Sequence, residues 1–167
     1  LKFEFFFSEK PAFREEMLAE ARLIDPDGSG LVPGPTVSPA VLEKASFLIA
    51  HRVLPAFLEA YFIVAEQLAA LTGDTPFDRR TFLAHCTAVG QQYLLQKRLR
   101  HPECVSNELF TNALSLAENR GLLAPAESPE RTGLRQAFAA ETTAAVSALE
   151  AIGTLDHRLR HGPRENG

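Results

Sequence analysis

Hydrophobic residues recur along most of the chain at the three- and four-residue spacing of α-helices, and prolines and glycines separate the segments. No alternating apolar and polar run is bounded like a β-hairpin. Residues 1–8 are ambiguous, because their alternating phenylalanines suit a strand and also suit the last turns of a very apolar helix. The pattern predicts an all-α fold of about six helices.

The first half of the chain contains the most apolar helix. A helix is expected to begin at Pro11 and to end before a proline- and glycine-rich loop at 25–35, which is the best linker candidate. Ser38 then caps a helix that could run to Leu71. Pro55 should kink or break it, because proline removes a backbone donor and clashes with the preceding turn. Residues 56–71 are apolar on nearly every side, which predicts a largely buried central helix.

Three more helices follow a break at 72–76. The first is capped by Asp78 and extends to about Leu99, with an apolar face of Phe82, Cys86, Val89 and Tyr93. The second is capped by Ser106 and closed by Gly121, with Leu109, Phe110, Ala113, Leu114 and Ala117 inward. The last begins at Ser128-Pro129, and its stripe is Leu134, Phe138, Thr142, Ala145, Leu149, Ile152 and Leu159. The tail from 161 to 167 should be frayed.

Composition excludes several classes of protein. The 167 residues carry a net charge of −4, which argues against a dedicated nucleic-acid binder because phosphate contacts need a basic surface. Two cysteines cannot form a disulfide scaffold and suggest reduced, intracellular thiols. We expect no transmembrane span and no signal peptide. The chain begins at Leu1 and its only methionine is Met17, so it looks like a piece of a longer protein.

Charged residues stand out at two places. Lys97, Arg98 and Arg100 concentrate the positive charge of the only basic segment, 78–121, which carries six basic and four acidic residues. They are either a solvated helix end or a contact for phosphate, an anionic lipid headgroup or an acidic carrier protein. Arg52 and Glu59 lie on the most apolar helix, where charges need partners. They form an internal ion pair, lie at an exposed edge, or face a partner domain that is missing from this chain.

Motifs for chemistry are absent. There is no Gly-x-Ser-x-Gly elbow and no phosphate-binding loop. Cys86 follows His85 directly, so their side chains diverge by about 100° on a helix, and Cys86 is predicted to fill the core. His101-x-x-Cys104 has ligand-like spacing but lacks further ligands. We predict no catalytic residue, no metal site and no cofactor, and the residues alone indicate an all-α interaction or structural module.

Three ordered blocks stand out along the chain: Leu1-Lys-Phe-Glu-Phe-Phe-Phe-Ser-Glu-Lys10, Val53-Leu-Pro-Ala-Phe-Leu-Glu-Ala-Tyr-Phe62 with Val64-Ala-Glu66, and Gly90-Gln-Gln-Tyr-Leu-Leu-Gln-Lys-Arg98 with Asn119-Arg-Gly-Leu-Leu123. They resemble the region downstream of the acyltransferase domain in bacterial membrane-associated sn-glycerol-3-phosphate acyltransferases. The amino-acid composition, which is rich in Ala, Arg and Leu, is most similar to that of the actinobacterial members of this family. The resemblance divides the chain into a helical C-terminal region at 1–123 and a C-terminal helix and tail at 124–167, where it is weakest.

The resemblance implies a parent enzyme that transfers an acyl group from acyl-CoA or acyl-carrier protein to glycerol 3-phosphate, giving lysophosphatidate. Family members use a His-x-x-x-x-Asp block, in which the histidine is the general base. His51, His85 and His101 are followed at the fifth position by Ala, Gly and Ser, so no catalytic residue is carried over.

This chain should therefore be inactive alone. Its partners would be the missing N-terminal acyltransferase domain and an anionic surface at the cytoplasmic face of the plasma membrane. The alternative is a free-standing helical interaction module or winged-helix-like regulator, whose cue is the capped helix that ends in Asn119-Arg-Gly-Leu-Leu123.

Overall fold

The computed structural model describes residue 15 and residues 50–71, 77–123 and 128–161. Within these ranges the chain forms five α-helices and one short 3-10 helix, and it forms no strand. The helices are α1 (Ala50–Val53), α2 (Pro55–Ala69), α3 (Arg79–Leu95), the 3-10 helix Pro102–Cys104, α4 (Asn107–Asn119) and α5 (Pro129–His161). The predicted all-α class is confirmed.

Helix α2 lies at the centre of the fold and packs against α3, α4, α5 and the 3-10 helix. Pro55 is its first residue, so the predicted break falls where a missing backbone donor is tolerated. The prediction of a largely buried helix is also confirmed, since the buried residues are Glu59, Ala60, Tyr61, Ile63, Val64, Ala65 and Leu68.

The ends of α3 and α4 are closed by the same hydrogen-bond motif. Helix α3 ends at Leu95 and not near Leu99, because Lys97 adopts a left-handed conformation with φ 58°. The Arg98 N–H donates to the Tyr93 carbonyl at 2.9 Å and the Lys97 N–H to the Leu94 carbonyl at 3.0 Å, which is a Schellman motif. Gly121, with φ 73°, takes the equivalent position after α4, as predicted.

Side-chain caps begin two of the helices. The Thr81 N–H donates to the Asp78 carboxylate at 2.8 Å, and hydrogen bonds from the Thr81 side chain and from its backbone N–H lower the pKa of Asp78. The Arg131 N–H donates to Ser128 Oγ at 3.2 Å. The cap at Asp78 and the helix start at Ser128-Pro129 were predicted from sequence. Ser106, which was also predicted as a cap, holds the N-cap position of α4 but makes no capping side-chain bond.

The predicted inner stripe of α5 needs one correction. Phe138, Thr142 and Leu149 are buried as expected, but Leu134 is 46% exposed. Arg135 is buried in its place, and its Nε donates to the Leu122 carbonyl at 3.0 Å. The start of α5 is thus rotated so that an arginine satisfies a carbonyl in the turn after α4.

Several predictions lie outside the described residues: the conformation of residues 1–8, the helix from Pro11, the linker at 25–35, the cap at Ser38, the break at 72–76 and most of the tail. Among the helices that are described, none combines the length and the apolar character needed to cross a membrane.

Candidate functional site

A cleft of about 450 Å³ lies between the first two helices and α5. Helices α1 and α2 form one side, α5 forms the other, and the segment after α3 closes one end. The cleft is lined by apolar and titratable side chains from all of these elements: His51, Pro55, Glu59, Arg100, His101, Val146, Leu149, Glu150, Gly153, Thr154, His157 and Arg158. Its size and mixed lining are typical of small-molecule sites.

The α5 side of the cleft follows from helical spacing. Val146, Leu149, Gly153 and His157 are three or four residues apart and therefore share one face. This face changes character along its length, from the apolar Val146 and Leu149 to the basic pair His157 and Arg158. Val146 and Arg158 are about 18 Å apart along the helix axis at 1.5 Å per residue.

The Glu59 carboxylate forms the floor at one end. Its side chain is only 7% exposed, and it lies 2.8 Å from His101 Nδ1. It also accepts hydrogen bonds from the backbone N–H of Arg100 at 3.3 Å and of His101 at 3.1 Å. Three groups thus compensate the buried charge, and the segment that leads into the 3-10 helix is fixed to α2.

Asp156 plays the corresponding role at the other end, where α1 meets α5. Its carboxylate is 8% exposed and lies 3.1 Å from the Arg52 guanidinium and 3.3 Å from His51 Nε2. The His51 ring packs against α5 at Gly153, one turn earlier, where a Cβ would lie 3.4 Å from the ring in ordinary van der Waals contact. Arg52 and Glu59 therefore have separate partners and do not pair with each other.

The three predicted anion-contact residues lie in different environments. Arg98 contacts Glu66 at 3.1 Å and lies 3.8 Å from the centre of the Tyr93 ring. Lys97 is exposed at the end of α3. The Arg100 side chain is 74% exposed, lines the cleft and lies 3.5 Å from Glu150. Lys97 and Arg100 are exposed, whereas Arg98 links the end of α3 to Glu66 of α2.

The cysteines and the remaining histidine motif show no arrangement for catalysis. Burial raises the pKa of both Cys86 and Cys104 to about 12, which leaves the thiols protonated and unreactive. Cys86 fills the core as predicted. His85 contacts Gln67 at 2.9 Å. Within the described ranges, no three His, Cys, Asp or Glu side chains are grouped so that they could hold a metal ion.

One protein family matches most of this chain. The sequence model of the glycerol-3-phosphate acyltransferase C-terminal region matches residues 1–126. The chain belongs to this family. The three sequence blocks in which the resemblance was found all lie inside the matched range, and so do α1 to α4.

Curated relatives extend the similarity of this acyltransferase C-terminal region beyond the family match. The chain is 40% identical over 162 residues to proteins named "Putative acyltransferase plsB1" from Mycobacterium bovis and from two strains of Mycobacterium tuberculosis. The alignment covers 95% of this chain and 25% of each relative. The chain thus spans about a quarter of the length of these relatives. No solved structure matches it.

Sequence reasoning missed the cleft of this C-terminal region because its two sides are distant along the chain. Arg52 and Asp156 are 104 residues apart, and Glu59 and His101 are 42 residues apart. The one available signal was the presence of charges on the most apolar helix, which predicted buried partners without identifying them. Of the three basic residues singled out, only Arg100 lines the cleft.

Proposed function

We propose that this chain is the helical, non-catalytic part of an enzyme that transfers an acyl group from acyl-CoA or acyl-carrier protein to glycerol 3-phosphate. The product is lysophosphatidate, an intermediate of phospholipid synthesis. The observation that carries the proposal is the family match over residues 1–126. The 40% identity to the mycobacterial proteins named acyltransferases supports it. The N-terminal part of the parent supplies the catalytic groups.

The absence of a His-x-x-x-x-Asp block supports the view that the chain is inactive alone. Two of its histidines are also engaged in internal contacts, His101 with Glu59 and His85 with Gln67. The purified chain, incubated with glycerol 3-phosphate and labelled acyl-CoA, should give no lysophosphatidate, and the full-length parent should give it. Turnover by the isolated chain would contradict its non-catalytic role, and no turnover by the parent would contradict the assigned reaction.

Lys97 and Arg100 provide a peripheral contact with the anionic cytoplasmic face of the plasma membrane. Each cation near such a surface contributes about 1 kcal/mol, so the two together shift partitioning by roughly thirtyfold at low salt. Two residues are too few for a stable anchor, which suits a contact that assists other parts of the parent enzyme. Arg98 is left out of this contact because it bonds to Glu66 at 3.1 Å and lies against the Tyr93 ring, whereas the Arg100 side chain is 74% exposed and its contact with Glu150 is longer, at 3.5 Å.

Sedimentation with vesicles of phosphatidylglycerol and phosphatidylcholine tests this contact. A Lys97→Gln/Arg100→Gln variant should bind less than the wild type at low salt, and the difference should shrink at high salt. An Arg79→Gln/Arg80→Gln variant loses the same charge at the start of α3 and is the matched control. Equal loss in both variants would show that net charge alone sets the binding.

A further inference from the structure

We propose that the cleft between α1, α2 and α5 binds an amphiphile that carries a phosphate monoester on a single apolar chain. The headgroup lies against His157 and Arg158, and the chain lies along Pro55, Val146 and Leu149. The location follows from the cleft itself. The choice of a phosphate rests on the proposed function, because the product of that reaction belongs to this chemical class.

Both sides of the cleft contribute apolar side chains. Pro55, the first residue of α2, lines one side, and Val146 and Leu149 of α5 line the other. The volume of about 450 Å³ lies within the usual range for sites that enclose small ligands. The apolar wall therefore suits a hydrocarbon chain, which gains free energy by leaving water.

The distribution of carboxylates decides where the headgroup lies. Glu150 lies 3.5 Å from Arg100 at one end of the cleft, so an anion held inside the cleft at that end would lie close to an exposed carboxylate, whereas the buried Glu59 carboxylate is already compensated. At the opposite end, where α1 meets α5, Asp156 is buried and is already compensated by Arg52 at 3.1 Å. An anionic group is accordingly better accommodated at the end formed by α1 and the last turns of α5.

Arg158 is the central element of this headgroup site. Within the described parts of the chain it forms no ion pair, although it lines the cleft next to His157. A guanidinium presents a planar fork of donors that fits two phosphate oxygens at once. The imidazoles of His51 and His157 line the same end and add polar nitrogen atoms. This arrangement favours a dianionic headgroup over a carboxylate.

Titration calorimetry on the full chain tests the proposal with monomeric dodecyl phosphate. We expect one binding site. Arg158→Gln should weaken binding at least tenfold by removing the charged donor, and Val146→Glu should do the same by placing a charge in the apolar wall. Arg80→Gln, on the exposed surface of α3 outside the cleft, is the control and should leave affinity unchanged. Thermal unfolding confirms that each variant is folded.

Four further probes separate the contributions to binding. Glycerol 3-phosphate lacks the chain, dodecyl maltoside lacks the charge, dodecanoate carries one charge, and phosphatidate vesicles present the phosphate on a membrane. Each soluble probe should bind at least tenfold more weakly than dodecyl phosphate, and binding to vesicles should not depend on Arg158. Equal affinity for dodecyl maltoside or dodecanoate, or unchanged binding of dodecyl phosphate by Arg158→Gln, would overturn the proposal.

This experiment is independent of turnover. If the parent enzyme transfers acyl groups but the chain does not bind dodecyl phosphate, only the cleft proposal fails. If the chain binds dodecyl phosphate through Arg158 but the parent does not acylate glycerol 3-phosphate, the cleft proposal stands and the proposed reaction fails.

Discussion

The buried Glu59 carboxylate of α2 lies 2.8 Å from His101 Nδ1 and also accepts two backbone N–H bonds from residues 100 and 101. One side chain thereby fixes the segment that follows α3 to the central helix. The sequence offers no local signal for this contact, because the partners are 42 residues apart and all of α3 lies between them. The contact also sets the position of Arg100 at the mouth of the cleft.

Replacing Glu59 should therefore reduce stability in graded steps. Glu59→Ala leaves three donors without an acceptor and should lower the free energy of unfolding by about 3 kcal/mol. Glu59→Gln retains one acceptor oxygen and should cost about 1 kcal/mol. Guanidinium unfolding followed by circular dichroism measures both values. Glu103→Ala, at an exposed position of the 3-10 helix, is the control and should change stability by less than about 0.5 kcal/mol. Equal effects at residues 59 and 103 would contradict the assigned role.

Two helical glycines should respond in opposite directions to the same substitution. A Cβ at Gly90 of α3 would lie 3.0 Å from Val105 Cγ2 and 3.2 Å from Ile63 Cδ1, so Gly90→Ala should overpack the core and cost about 1–3 kcal/mol. A Cβ at Gly133 of α5 would meet nothing within 4 Å. Gly133→Ala should raise stability by about 0.5–1 kcal/mol, because alanine restricts the unfolded chain. Midpoints of guanidinium unfolding test both, and equal signs would contradict this account.

The two cysteine thiols should be inert in the folded chain. Burial raises the pKa of Cys86 and Cys104 from 9.0 to about 12. At pH 8 only about one thiol in ten thousand is then ionised, and the thiolate is the reactive form. Iodoacetamide at pH 8 should modify the native chain very slowly and the guanidinium-unfolded chain rapidly. Fast alkylation under native conditions would show that these side chains are accessible.

The raised pKa values of Cys86 and Cys104 also predict that the free energy of unfolding falls at high pH. Since the native pKa is raised, the folded chain keeps protons that the unfolded chain releases above about pH 9. The contribution of the thiols to stability is therefore complete below pH 9 and falls as the pH rises toward 12. Unfolding measured at pH 8 and pH 10.5 should show a larger loss for the wild type than for a Cys86→Ala/Cys104→Ala variant.

Sequence patterns predicted the parts of the fold that short-range chemistry determines. Pro55 divides the apolar helix because its ring removes a donor, and Asp78 and Ser128 begin helices because their side chains accept backbone N–H groups. The start of α5 was predicted in the wrong rotation. Leu134 has the more apolar side chain, but Arg135 is the one that donates a hydrogen bond to the Leu122 carbonyl. The need of this carbonyl for a donor follows from the packing of α4 against α5, which the local sequence does not reveal.

The candidate site was harder to predict for the same reason. The charges on the apolar helix indicated that Arg52 and Glu59 need partners. Arg52 pairs with Asp156, and Glu59 pairs with His101. Helical periodicity places residues on faces but does not say which face of α5 lies against α2. The basic segment after α3 was recognised, but its three residues lie in different places. Arg98 contacts Glu66 of α2, Lys97 lies in an exposed turn, and Arg100 lines the cleft.

Lys97 explains why α3 ends earlier than its sequence predicts, and its conformation can be tested. It occupies the left-handed position after the helix with φ 58°, where glycine is usual and a side chain is strained. Lys97→Gly should therefore raise the free energy of unfolding by up to about 1 kcal/mol, even though glycine destabilises most positions. Lys97→Ala keeps the strain while removing the charge, so it should leave stability within about 0.5 kcal/mol of the wild type. If glycine and alanine gave the same stability, the left-handed turn would not be the feature that ends α3 at Leu95.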